Sequence, residues 1–227
     1  MDVVANASPR RLARIVGALS LVNIVAGGFA LGIVPAMLVV PGDPAATAHN
    51  FQTHELLYRL GIAAHLVITV TNVPMAVVAY DLFKVVNRRV ARLDLCLTLV
   101  ATAVEAAAVL GQSAPQILPD SGYSFYTVFY GVDDFCVAYL LINSTFLPRV
   151  FGVLIAIDGL AYLVNSFANL LAPGLAAHLV PWIQLPILPA EGSLCLWLLI
   201  AGVDVTRWKE QARSAIRTWS IPTESRV

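Results

Sequence analysis

Asp133 and Asp134 are adjacent carboxyls inside a stretch, Tyr123 to Phe135, that belongs to a segment apolar enough to cross a membrane. Tyr126 and Tyr130 stand one helical turn apart, and the two aspartates follow Tyr130 by three and four residues. On a helix that spacing stacks phenol rings and acids along one side. An ionisable group at mid-membrane costs roughly 2.5–3.5 kcal/mol on insertion scales, so two retained together mark a functional site. The chemistry such a set can do is proton transfer in a dry, aromatic-walled space.

Three further acids, Glu105, Asp158 and Glu191, lie in other apolar segments, and each segment carries one polar line at helical spacing. The lines are Ser20 and Asn23; Tyr58, His65, Thr69 and Asn72; Thr98, Thr102, Glu105 and Gln112; Tyr126, Tyr130 and the aspartate pair; Asp158, Tyr162, Asn165 and Asn169; and Gln184 with Glu191. Leu, Val, Ile and Ala surround them. Polar groups have no partners in lipid, so these lines should face one interior pocket. At about 1.5 Å per residue from the nearest arginines, Glu105, Asp134 and Glu191 are expected at a shared depth, with Asp158 nearer the arginine-rich side.

Asp133, Asp134, Glu105 and Glu191 are therefore the candidate catalytic residues. Tyr126, Tyr130, Tyr162, Asp158, Asn165, Asn72, His65 and Trp182 are candidates for holding a substrate, although an interfacial aromatic belt would also explain Trp182. No lysine or arginine falls at the depth of the acids, and His65 is the single nearby base. Desolvation and like-charge proximity both favour the neutral carboxyl. At least one member of the group is expected to carry a proton at neutral pH and to act as a donor. Ring faces in the same space would stabilise a cation.

The elements that must position these groups follow from composition. The chain has 227 residues, 59% hydrophobic and 12% charged, with mean hydropathy +0.78. Soluble domains carry about 25% charged residues, so the expectation is an all-α integral membrane protein. Apolar segments at 14–37, 56–82, 92–112, 123–146, 149–171 and 182–206 each approach the roughly 20 residues a span needs, giving a six-helix transmembrane bundle. Residues 1–13 form a short N-terminal segment, 14–206 the membrane domain and 207–227 a basic tail. Of 14 lysines and arginines, all but Arg59 fall in the termini or in the second and fourth loops. The positive-inside rule then puts both termini in the cytoplasm, in a bacterial cytoplasmic membrane. No small-residue cleavage signal follows the first apolar run, which is read as a retained span.

Local signals refine this. Pro41-Gly-Asp-Pro44 reads as a turn leading into a short outer helix, Ala45 to His54. His49 and His54 fall on different faces and make a poor metal pair. Glu55 and Arg59 are spaced for an i,i+4 ion pair. Pro181, Pro186 and Pro189 should break the outer part of the last segment, with a regular helix starting near Pro189 and Glu191 in its first turn. Pro74 should bend the second segment. Arg10-Arg-Leu-Ala-Arg14, Arg88-Arg-Val-Ala-Arg92 and Pro148-Arg-Val150 open the first, third and fifth segments, either as a weak repeat of hairpins or because membrane entry favours arginine. Tyr123, Trp182 and Trp208 fit interfacial positions, and the tail with Trp208 and Trp219 fits a helix lying on the membrane surface. Cys96, Cys136 and Cys195 lack metal or disulfide spacing and read as small core residues.

The zero net charge gives no case for nucleic acid, and no phosphate-cradling glycine loop, HExxH or GxSxG motif is present. No cofactor is implied. The aspartate-rich signature that binds magnesium diphosphate is also missing, which favours metal-free chemistry over diphosphate ionisation. The partners to expect are a lipophilic small molecule and membrane lipid, and self-association into a homo-oligomer is open. Three functions fit: acid-initiated cyclisation or isomerisation of an isoprenoid-type molecule, proton-coupled export of a small hydrophobic molecule, or a noncatalytic lipid-binding subunit.

Val40-Pro-Gly-Asp-Pro-Ala-Ala-Thr47, Tyr58-Arg-Leu-Gly-Ile62, Leu147-Pro-Arg-Val-Phe-Gly152 and Glu191 with its following Leu/Trp run resemble a family of small six-pass bacterial membrane proteins classed as a domain of unknown function. The resemblance spans residues 10–207, implies the six-pass fold and carries no activity. The Asp133-Asp134 pair lies outside the matching pieces, which would make it a specialised site of this member. A looser likeness, in architecture and chemistry, is to membrane-bound terpene cyclases. Their soluble counterparts protonate alkenes with an Asp-x-Asp-Asp motif, of which Gly131-Val-Asp-Asp134 keeps only the last two acids.

Overall fold

The computed structural model describes residues 8–113, 125–179 and 182–219. The N-terminal seven residues, Tyr123, Pro181 and Arg226 lie outside the described residues, as do the side chains of Gln112, Gln184 and Trp219. Among the described residues the chain is helical and contains no strand. In order these are α1 (Pro9–Gly27), a π-helical segment (Gly28–Ile33), α2 (Val34–Leu38), α3 (Pro44–Thr53), α4 (Glu55–Phe83), α5 (Arg88–Ser113), α6 (Tyr126–Asn143), α7 (Arg149–Leu171), α8 (Pro173–Leu179), a 3-10 turn (Trp182–Gln184), α9 (Ile187–Ile200) and α10 (Val205–Trp219).

Among the described residues four helical stretches are long and apolar enough to cross a membrane: Pro9–Leu38, Glu55–Phe83, Arg88–Gly111 and Arg149–Leu171. The pair α9–α10, bent by 101°, is a fifth candidate. α6 has 18 residues but spends two of them on aspartates. Large apolar side chains such as Leu56, Val70 and Ile200 stand 69–75% exposed on the outside. Water would not tolerate so extensive an apolar surface, and lipid does. The chain is a helical membrane protein.

The long helices pack in chain order, α1 on α4, α4 on α5, α5 on α6, α6 on α7 and α7 on α9, and α9 returns to α1. They close a ring around a central space. Glycines set two of the contacts. A Cβ on Gly131 would lie 2.9 Å from Leu163 Cγ, one on Gly159 would lie 2.8 Å from Asp134 Cβ, and one on Gly152 would lie 2.5 Å from Ile142 Cγ1. α6 and α7 are therefore in near-backbone contact, the small-residue mode of membrane packing. Gly17 does the same for ring closure, since its Cβ would fall 2.9 Å from Leu199 Cγ, and Cys195 Sγ lies 3.3 Å from the Gly17 carbonyl.

Several local expectations hold and two change. Asp43 caps α3 by accepting from Ala46 N at 2.8 Å, and Arg59 Nε donates to Glu55 Oε1 at 2.9 Å. α9 begins at Ile187, so Glu191 falls in its second turn. Trp208 is not a belt residue: it is 3% exposed, and its indole Nε1 donates to the Leu82 carbonyl at 2.9 Å. Gln211 donates to the Asn143 carbonyl at 3.1 Å and accepts from Thr145 N at 3.0 Å. The inner face of α10 thus ties off the frayed ends of α4 and α6, groups that any helix C-terminus leaves unpaired.

Candidate functional site

The ring encloses a cavity of about 690 Å³. Asp133, Asp134, Glu105 and Glu191 all line it, as do Tyr126, Tyr130 and Tyr162, and the amides Asn72 and Asn165. Asp158 and His65 stand just behind the wall, 0% and 2% exposed. Trp182 is 70% exposed and lies outside the cavity. The 3-10 turn carries it outward, so it is not among the residues that the structure gathers. No lysine or arginine lines the cavity among the described residues, and no three His, Cys, Asp or Glu side chains there come together as a metal-binding group.

The acids separate into two groups, and this corrects the depth expected from sequence. The breaks at 144–148 and 201–204 contribute no helical rise. Counted within the helices, Asp134 lies nine residues from Asn143, Asp158 nine from Arg149 and Glu191 nine from Ile200, or ~14 Å in each case. These three share a level. Glu105 lies 17 residues from Arg88, ~26 Å along α5, and belongs to a higher tier.

In the lower tier, Asp133 Oδ2 is 2.6 Å from Thr98 Oγ1, while Oδ1 is buried without a partner. Asp94, 4% exposed and also lining the cavity, lies near enough to Asp133 for the two carboxyls to interact electrostatically. Asp134 Oδ2 and both oxygens of Asp158 have no hydrogen-bond partner. Asp134 interacts electrostatically with Asp158, Glu191, Asp133 and Asp94, and Glu191 with Asp158 and Tyr162. Sequence reasoning missed Asp94. It sits two residues after Arg92 and reads as a surface charge there, whereas helical spacing places it one turn below Thr98 on the polar line of α5. That spacing is the signal that could have found it.

The upper tier is a closed hydrogen-bonded chain. Glu105 Oε1 lies 2.9 Å from His65 Nε2, and its Oε2 accepts from the Tyr130 hydroxyl at 2.7 Å. Asn72 Nδ2 donates to that hydroxyl at 2.7 Å, and Asn23 Nδ2 donates to Asn72 Oδ1 at 2.6 Å. Thr71 completes it by donating to Asn23 Oδ1. Tyr126 packs edge-on against both His65 and Tyr130, with ring centroids 6.2 and 6.0 Å apart, the geometry that aromatic quadrupoles favour. Both oxygens of Glu105 are thus anchored, while Asp133, Asp134 and Asp158 below it each keep at least one buried oxygen without a partner among the described residues. Such a site offers unpaired acids for proton transfer and ring faces for a positive charge.

No curated protein and no solved structure matches the chain. The family described as a domain of unknown function, DUF4386, matches it over residues 15–118 and 114–202. That range contains every candidate residue named above, and the chain belongs to the DUF4386 family.

Proposed function

We propose that the protein is a membrane-embedded enzyme that cyclises or isomerises a lipophilic, isoprenoid-type substrate by protonating an alkene. The observation that carries this reading is the lower tier itself: Asp133, Asp134, Asp158 and Glu191 around or beside a cavity without a basic side chain, with Asp133 Oδ1 unpartnered. Asp94 and Asp133 are neighbouring acids on one cavity wall, and neighbouring carboxyls do not both ionise readily; in this reading the pair holds a proton. Asp133 delivers it: its O–H bond breaks, a C–H bond forms at one alkene carbon, and the other carbon becomes a cation. A second double bond attacks that cation, closing a C–C bond. Glu191, on the same cavity wall as Tyr162, takes the final proton and restores an alkene. The product is an isomer of the substrate, and between turnovers Glu191 gives its proton to water while the Asp94–Asp133 pair takes one back from water. Tyr126, Tyr130 and Tyr162 face the cationic stage, where ring faces are worth about 2 kcal/mol or more once desolvated.

The test is turnover of prenylated alkenes in D2O. Each product molecule should carry one deuterium in place of one substrate hydrogen, and Asp133→Asn should abolish turnover. Full turnover in both Asp133→Asn and Asp134→Asn would reject the acid assignment.

A second reading, proton-coupled transport of a small hydrophobic molecule, draws on the upper chain from His65 through Glu105, Tyr130 and Asn72 to Asn23, because intramembrane hydrogen-bonded acids commonly carry protons. Proteoliposomes that take up protons with a hydrophobic solute but form no new product would favour it.

The same proposal takes the six ring helices as six spans with both termini on the cytoplasmic face of a bacterial membrane. The common side of the arginines in α1, α5, α7 and α10 supports this. Labelling of single cysteines at Ser8 and Ser214 from the cytoplasmic side alone is the expected result.

A further inference from the structure

The ring is closed at one end and splayed at the other, between its first and last helices. Near the arginine-rich end, Gly17 of α1 presses on Leu199 and on the Cys195 carbonyl of α9. One helical turn beyond Asn23 the first span changes to the π-helical segment, which packs on α4 and α1 and at most sparsely on α9. Opposite it, α9 is only starting at Ile187, after the turn at Trp182–Gln184. The cavity wall includes Gly27, Gly28 and Leu31 on one lip and Ile183, Ile187 and Leu188 on the other. Leu31 is 52% and Leu188 68% exposed, and a Cβ on Gly28 would meet nothing within 4 Å among the described residues. π-helical turns recur at functional sites, and here one sets the width of a cleft.

We infer that this cleft is a lateral portal through which a single hydrocarbon chain of a membrane lipophile reaches the acidic cavity directly from the bilayer. The inference rests on the reading of the cavity as a lipophile site. Three observations define the occupant. Both lips are apolar and belong to stretches that face lipid. The passage is continuous with the cavity, whose floor carries Asp134 and Glu191. A glycine on one lip leaves room for a chain but no side chain to fill it. A water-soluble solute would have to pass an apolar rim, whereas a polyprenyl or acyl chain already lies at that depth.

The experiment uses the full chain in phosphatidylcholine vesicles with a sixteen-carbon fatty alcohol bearing a diazirine. After illumination, mass spectrometry locates the adducts. Adducts on Asp134 or Glu191 are expected in the parent chain. They should fall at least fivefold in Gly28→Trp and in a Leu31→Cys/Leu188→Cys chain joined by a thiol-cleavable bis-maleimide linker, made with Cys96, Cys136 and Cys195 replaced by Ala. Cleaving the linker should restore labelling in the same molecules, which separates blockage from misfolding. Val70→Trp, on the outer face of α4, should label like the parent. Absence of cavity adducts in the parent, or equal labelling in the linked and cleaved states, overturns the portal. Neither result depends on proton transfer, so loss of the portal and loss of the enzymatic reading are separately visible.

Discussion

Thr98 Oγ1 stands 2.6 Å from Asp133 Oδ2 and 3.0 Å from the Asp94 carbonyl, and it has one proton for both acceptors. The hydroxyl is the donor to both, so Thr98 shares its proton between its own backbone turn and the Asp133 side chain and ties α6 to α5 at this level. Thr98→Val keeps the shape and removes the partner. The expected loss is about 1–3 kcal/mol for a buried polar group left unsatisfied, measured by reversible unfolding in mixed micelles, with Thr98→Ser close to the parent. Parental stability in Thr98→Val would mean that the contact is not made.

Tyr130 stands at the centre of the upper tier. Its hydroxyl gives its proton to Glu105 and accepts from Asn72, so Tyr130→Phe deprives two buried groups at once. A loss of about 1–3 kcal/mol is expected for each group left unsatisfied. A double-mutant cycle of Tyr130→Phe with His65→Ala should show a coupling of about 0.5–3 kcal/mol through Glu105. Additive effects would break the chain as described.

Gly159→Ala puts a methyl 2.8 Å from both Asp134 Cβ and the Gly131 carbonyl. Neither atom is the free end of a flexible side chain, so the helices must part, at a typical overpacking cost of 1–3 kcal/mol. Gly192→Ala, where a Cβ meets nothing within 4 Å among the described residues, should stay within about 0.5 kcal/mol of the parent. Equal effects at the two sites would argue against a tight α6–α7 seam.

Removal of the Trp208 ring opens the underside of the bundle. Trp208→Ala is expected to cost about 3–5 kcal/mol, as for other buried aromatic truncations, and to make α10 sensitive to added protease. Parental resistance would mean that α10 is held by its other contacts.

Much of this fold was legible in the sequence because membrane helices announce themselves by length and apolarity. The expected 56–82 and 149–171 became Glu55–Phe83 and Arg149–Leu171. The polar lines also converged on one cavity, since lipid offers no other place for Asn72, Glu105 or Asn165. The levels were not legible. Counting rise through Leu147-Pro148 and the 201–204 break displaced Asp134 and Glu191 outward and made Glu105 seem their neighbour, when Asp158 is. Asp94 was hidden by nearby arginines, and Trp208 by its resemblance to an interfacial anchor. The match to DUF4386 bears out the family resemblance and leaves the activity to experiment.

The central claim is that a carboxylic acid, not a carboxylate, waits in the lower tier at neutral pH. Infrared spectroscopy of the purified protein in lipid reads this directly from the carbonyl stretch of protonated carboxyls. The account predicts such a band at pH 7, diminished in Asp133→Asn and unchanged in Asp43→Asn, whose side chain only caps an exposed helix. A spectrum in which every membrane-buried carboxyl is already ionised at pH 7 would contradict it.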